Sequence, residues 1–331
     1  MNPVERYQTL LVIAAIAGGV ALGQIDGVPA VAERLILPFL LVMLLGAFLQ
    51  IPLTQLRRAF ENRRVVGTSL VVNFVWNPLF AVGLGFVFLR DHPALWVGLV
   101  MLMVTPCTDW YLIFTDIARG DVPLATSLLP YNLVLQLVLL PAYLYLFAGE
   151  LVALPLRTLL MSVVLVLVAP LALAAIGRAA LPRVVGEAYF SRTLLPALGP
   201  VQILFLALAI AAMFASQGDV ILENPGVLAL LAIPVVVFYI VNFVLGLAIG
   251  RLASFSYEEL VCVNCTILSR NSPTALAIAV VAFPHEPLIP LALVIGPLLE
   301  LPLLSVVSQL LLGLRERELW DERSPLAGGA D

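Results

Sequence analysis

Two short stretches carry the residue types that could do chemistry, and both interrupt long apolar runs. The first is Val104-Thr105-Pro106-Cys107-Thr108-Asp109-Trp110, inside a run from about Ala94 to Ala118. The second, far along the chain, is Ser269-Arg270-Asn271-Ser272-Pro273. Cys107 offers a thiolate, a soft ligand for a metal or metalloid; its bland reading is a small buried apolar residue. Asp109 reads as a helix-opening cap after Pro106, or as a proton carrier and partner of Arg270. The Arg270 guanidinium keeps its proton and cannot itself carry one. It needs a counter-ion, for which Asp109 and Glu300 are the candidates. Glu300 is a carboxylate at mid-span, a functional residue by default. Competition between burial and a nearby arginine would let it load and release a proton. The static alternative is an ion pair with Arg270.

These residues need broken helices to hold them. Pro106 removes a backbone donor and disfavours a helical lead-in. Broken backbone at membrane depth is tolerated only where it is buried in protein or lines a cavity. The rest of the chain supplies the membrane context: 62% of its residues are hydrophobic, 11% are charged and its mean hydropathy is +1.08. A soluble domain carries about 25% charged residues. The apolar residues fall in long runs rather than in alternation, which points to an all-α integral membrane protein and away from a β-barrel. All 17 basic residues are arginine, and no basic patch with interleaved aromatics suggests nucleic acid. Three cysteines in apolar runs give no disulfide framework.

Ten candidate spans lie at about 7–25, 35–52, 66–89, 94–118, 122–148, 155–177, 193–215, 226–250, 258–283 and 287–313. Each reaches or approaches the roughly 20 residues that a bilayer requires. The first run resembles a signal peptide in length, but its charged lead is weak, Arg6 being offset by Glu5, and it reads as a retained span. Of the arginines, 13 fall at the N-terminus, in the even-to-odd links and in the tail, against three (Arg34, Arg90, Arg157) on the other side. That bias puts both termini in the cytoplasm.

The chain also repeats. Arg34-Leu-Ile-Leu-Pro38 and Arg192-Thr-Leu-Leu-Pro196 lie 158 residues apart; Asp121-Val-Pro123-Leu124 and His285-Glu-Pro287-Leu288 lie 164 apart. With five spans in each half, the second half enters the membrane upside down. The reading is a single transmembrane domain over 1–331, with repeat one at 7–148, repeat two at 155–313 and a polar cytoplasmic tail at 314–331. Inverted repeats with paired broken helices are the architecture of secondary transporters, with the site near the midplane. The 164-residue offset pairs Cys107 with Asn271, Thr108 with Ser272 and Gln136 with Glu300. Polar groups at one depth on different spans imply a shared cavity.

Other polar residues read more simply. Cys262 and Cys265 share one helix face, and packing by small residues suits them better than metal or redox chemistry. Asn73, Asn77, Asn132, Gln136 and Asn242 read as hydrogen-bonding glue between helices. Asp116 and Asp121, flanking Arg119, read as interfacial structure, and a metalloenzyme built on Asp109, Asp116 and Asp121 gives the second break no purpose.

Several motifs resemble the arsenite efflux carriers of the bile acid/sodium symporter-like superfamily. They are Pro106-Cys107-Thr108 leading to Arg119-Gly120-Asp121, the Asn271-Ser272 pair in the ninth span, and Ile295-Gly-Pro-Leu-Leu-Glu300-Leu-Pro302 in the tenth. Asn73-Phe-Val-Trp-Asn77-Pro78 and Val241-Asn242-Phe-Val-Leu-Gly246 are also similar. The resemblance covers nearly the whole chain. It implies ten spans, with a core around crossed, broken spans four and nine and a panel of spans one, two, six and seven. It implies alternating access, with export driven by proton entry. The family's essential cysteine falls on Cys107 and its acidic residue on Glu300. Where the sodium-dependent branch has an acidic residue and a Gln, this chain has Thr266 and Arg270. Those changes remove oxygen ligands for sodium and install a fixed cation.

The resulting expectation is a cytoplasmic-membrane carrier for arsenite or antimonite, exchanging protons and using no cofactor. Cys107, as metalloid ligand, would bind with Thr108, Asn271 and Ser272; Glu300, Asp109 and Arg270 would couple. The alternative is a symporter for a small organic anion, with Arg270 on its acidic group.

Overall fold

In a computed structural model, the structure describes residues 8–50, 62–108, 110–148, 156–223, 225–317 and 319–320. The expectations that rest on Arg6, Arg57, Arg58, Asp109 and Arg323 lie outside the described residues. The described residues form twelve helices, counting each π-helical stretch with the helix it interrupts. They are α1 Gln8–Gly23, α2 Val28–Gln50, α3 Arg63–Phe88, α4 Pro93–Met103, α5 Trp110–Ile117 and α6 Val122–Phe147. The rest are α7 156–185, α8 187–223, α9 Pro225–Leu252, α10 Tyr257–Leu268, α11 Ser272–Ala282 and α12 Leu288–Glu316.

Seven helices are long and apolar enough to cross a membrane: α2, α3, α6, α7, α8, α9 and α12. The fourth and ninth candidate spans are each two short helices, α4 with α5 and α10 with α11, separated at Pro106 and before Pro273. Large apolar side chains such as Val71, Phe86, Val138 and Leu173 are exposed, as a surface that meets hydrocarbon must be. The protein is thus a multi-pass helical membrane protein.

Prolines shape the long helices. π-helical turns at Val72–Trp76, Val164–Val168 and Phe190–Leu194 each precede a proline, Pro78, Pro170 or Pro196. A proline inside a helix cannot donate to the carbonyl four residues back, and its ring crowds that carbonyl; a widened turn relieves both. At Pro78 the carbonyl so released belongs to Phe74, and the Tyr143 hydroxyl of α6 donates to it.

Packing sorts the helices. α8 runs along α1 and α2, and α7 lies along α2. A Cβ at Gly19 would stand 2.4 Å from the Ala211 carbonyl oxygen, and one at Gly23 would stand 2.6 Å from that of Ala215. Glycines four apart thus let the α1 and α8 backbones touch. Elsewhere α12 packs on α4, α9 and α11, and α10 packs on α3, α5 and α9. From this second group α11 reaches across to α2 and α7.

Candidate functional site

The two breaks meet. Each leaves backbone groups without helical partners, and the extended stretches satisfy one another. The Cys107 amide donates to the Ser269 carbonyl at 3.0 Å, and the Asn271 amide donates to the Thr105 carbonyl at 2.7 Å. Pro106 and Arg270 lie opposite each other in an antiparallel bridge. The two bonds exchange under the 164-residue offset read from the sequence. So do the caps of the helices that follow. Cys107 Sγ accepts from the Trp110 amide at 3.3 Å, and Asn271 Oδ1 accepts from the Thr274 amide at 3.2 Å. Asn271 Nδ2 also reaches Thr108 Oγ1 at 3.5 Å. The sulfur and the amide therefore sit at the N-termini of α5 and α11, where helix dipoles favour electron-rich atoms.

Arg270 is wholly buried, and helix C-termini hold its charge. Its guanidinium donates to the carbonyls of Ile267 at 2.7 Å, Thr266 at 3.3 Å and Leu268 at 3.3 Å, the last turn of α10. It also donates to the Met103 carbonyl, the end of α4, at 2.8 Å and to Asn73 Oδ1 at 2.8 Å. The Phe238 ring lies 5.6 Å from its carbon. The last carbonyls of a helix carry partial negative charge and lack intrahelical donors, so one cation serves two helix ends. Among the described residues, the guanidinium's hydrogen-bond partners are carbonyls and an amide. Glu300 does meet residue 270, but at the backbone, where its Oε1 accepts from the Arg270 amide at 2.7 Å.

A small cavity, of about 20 Å³, lies between the crossing and the α2–α8 pair. Cys107, Thr108, Arg270 and Asn271 line one side of it; Met43 and Phe48 of α2 and Gln202 of α8 line another. Ser272 and Glu300 do not line it. Ser272 Oγ turns toward α12, where a Cβ at Gly296 would come within 2.4 Å of it. The seven residues expected to act thus divide into a cavity group, an α12 group and Asp109, which lies outside the described residues. Cys262 and Cys265 are buried in α10 away from the cavity, as packing residues should be. Asp121 caps α6, with Oδ1 accepting from the Leu124 amide at 2.9 Å. Among the described residues, no group of three His, Cys, Asp or Glu could hold a metal ion.

Sequence reasoning missed four residues here. Asn73, whose sequence setting suggests only helix glue, binds the guanidinium, and its partner Asn77 donates to the Ile267 carbonyl at 3.2 Å. Gln202, an amide in an apolar run, gave a usable signal. Phe238 gave none, since an aromatic in an apolar span is ordinary. Thr274 lines the cavity three residues past the Asn271 cap, a position the break itself marks.

Residues 37–224, more than half of the chain, match the family described as Sodium Bile acid symporter family. The chain is 27% identical over 320 residues to the arsenical-resistance protein Acr3 of Corynebacterium glutamicum, covering 91% of this chain and 86% of that one. It is 27% identical over 334 residues to the Acr3 of Alkaliphilus metalliredigens, covering 92% and 91%. An uncharacterized transporter of Synechocystis sp. is 27% identical over 360 aligned positions, covering 98% and 92%.

Proposed function

The chain belongs to the Sodium Bile acid symporter family, and from that premise we propose that it exports arsenite or antimonite across the cytoplasmic membrane in exchange for protons. It is a membrane transporter of that family, not an enzyme. The observation that carries the substrate reading is Cys107. It is a thiol at a helix break, buried yet lining a cavity, with its sulfur at the N-terminus of α5. A thiolate is the soft ligand that trivalent arsenic and antimony favour. Among the described residues one thiol lines the cavity. A single sulfur bond would be exchangeable, which suits a carrier that must release its cargo. The likeness to two arsenical-resistance proteins supports the same substrate.

The chain works as one domain of ten spans, with inverted repeats at 7–148 and 155–313 and both termini and the 314–331 tail in the cytoplasm. The backbone bonds and caps that exchange under one offset support the repeat. Alternating access follows if α1, α2, α7 and α8 move against the remaining helices, since the cavity lies between the two sets. Cys107, Thr108 and Asn271 bind the metalloid, and Ser272 lies against Gly296 of α12. Glu300 carries the proton, aided by Asp109. Its carboxylate accepts from the crossing's own backbone, so protonation loosens the crossing on the α12 side. Arg270 supplies a fixed charge where a sodium ion would need oxygen ligands.

The alternative, symport of a small organic anion through Arg270, draws support from that residue's place on the cavity wall. Against it, the guanidinium spends its donors on four carbonyls and Asn73. That leaves no adjacent pair for the bidentate grip a carboxylate favours. Inside-out vesicles test the proposal. Arsenite should accumulate under an imposed proton gradient and not under a sodium gradient, and Cys107→Ser should abolish accumulation in protein that still inserts. Full transport by that variant would remove Cys107 from the mechanism.

A further inference from the structure

We propose that Thr274, with Gln202 across the cavity, reads the hydroxyl groups of the substrate and so selects the inorganic trihydroxide over its methylated forms. The inference rests on the arsenite reading above and deepens it. Two observations carry it. Thr274 lines the cavity, is buried to 1% exposure, and its Oγ1 has no hydrogen-bond partner among the described residues. An orphaned buried hydroxyl is costly unless something satisfies it. Its backbone amide is committed to the Asn271 cap at 3.2 Å, which leaves the hydroxyl as the polar group of this cavity-lining residue still to be satisfied. The second observation concerns the opposite wall. Met43, Leu44, Ala47 and Phe48 make it apolar, and Gln202 is the polar side chain it contributes. Gln50 fixes that amide by donating to Gln202 Oε1 at 3.0 Å.

The chemistry of the cargo matches this set. Trivalent arsenic in water is a neutral trihydroxide. When Cys107 binds it, a sulfur–arsenic bond forms, one arsenic–oxygen bond breaks, and the thiol proton leaves with that hydroxide as water; no oxidation state changes. Two hydroxyls remain on the bound metalloid. A neutral hydroxyl needs both donors and acceptors around it, which a threonine hydroxyl and a glutamine amide supply. Monomethylarsenite keeps one hydroxyl fewer, and its methyl group would rest on the apolar wall. Thr274 and Gln202 are therefore specificity residues, distinct from the sulfur that makes the bond.

The test is transport by the full chain in inside-out vesicles, with arsenite and monomethylarsenite as separate substrates. Thr274→Val keeps the shape and removes the hydroxyl. It should raise the KM for arsenite about two- to tenfold, the range of one hydrogen bond between neutral groups. It should raise the KM for monomethylarsenite less, so that selectivity falls, and Thr274→Ser should restore the wild-type ratio. Gln202→Leu should lower selectivity in the same direction. An unchanged ratio in Thr274→Val overturns the inference, as does an equal loss for both substrates that Thr274→Ser fails to rescue. Wild-type vesicles that accumulate neither substrate would instead overturn the arsenite reading, and this one with it.

Discussion

Glu300 meets the crossing at an amide, and that choice of partner decides what its protonation does. An ionised carboxylate is a strong acceptor for the Arg270 N–H, and a protonated one is weaker. Glu300→Gln keeps an acceptor oxygen and loses the exchangeable charge. The variant should therefore insert normally and still exchange arsenite for arsenite, while accumulation driven by a proton gradient falls at least tenfold. Comparing counterflow with gradient-driven uptake in the same vesicles checks this. Glu300→Ala should also lose about 1–3 kcal/mol of stability, because it strands a buried N–H. Arg270 offers the converse case. Arg270→Met uncovers carbonyls at the ends of both α4 and α10 and should cost more than about 3 kcal/mol. Arg270→Lys should recover little of it, since an ammonium cannot fork across so many acceptors; thermal unfolding of the purified protein measures both. Arg270 and Glu300 were legible in the sequence because such side chains are improbable in hydrocarbon without a purpose, and Cys107 because it follows Pro106 at a break in an apolar run. The guanidinium's true partners were not, because backbone carbonyls leave no mark on residue type.

Helix breaks were the most legible elements, since Pro106 and Pro273 each remove a donor at the centre of an apolar run. Their pairing followed from the 164-residue offset, and the same offset clarifies an asymmetry. It pairs Glu300 with Gln136 and Arg270 with Pro106. Proline has no N–H, so nothing in the first half corresponds to the amide that Glu300 accepts from. Gln136 is accordingly buried with Nε2 and Oε1 both lacking a partner among the described residues. Among the described residues, the crossing thus meets a carboxylate on its α12 side. The π-helical turns were not legible, because they arise where a proline must be accommodated inside a continuing helix, and hydropathy is blind to that. Nor was the tight approach of α12 to the crossing. A Cβ at Gly296 would lie 2.4 Å from Ser272 Oγ and 2.7 Å from Leu102 Cδ1. Gly296→Ala should therefore destabilise by about 1–3 kcal/mol through overpacking. Ser272→Ala, by removing the hydroxyl, should recover part of that cost in the double variant. A double-variant cycle by thermal unfolding tests the contact, and additive effects would deny it.

At the scale of the whole molecule, composition declared a helical membrane protein, but the sorting of helices into two sets is a matter of which faces touch. Only fragments of it show in the sequence, such as the Gly19 and Gly23 spacing that lets α1 lie against α8. The cavity sits on the boundary between the sets, with Met43 and Gln202 on one side and Cys107 and Asn271 on the other. A ligand there would bridge the two helix sets that the proposed mechanism moves apart, so binding should hold them together and stabilise the native state by mass action. At a free concentration one hundred times Kd the gain is about 2.7 kcal/mol. Arsenite should then raise the Tm of the detergent-solubilised protein by several degrees, with a dose dependence that returns Kd. The same titration on Cys107→Ser should give no shift, because the bond to arsenic is gone while the fold around the cavity remains. A shift of equal size in that variant would mean that the metalloid binds elsewhere, away from the boundary between the two helix sets. Occupancy of the cavity would then no longer account for how cargo couples to their movement.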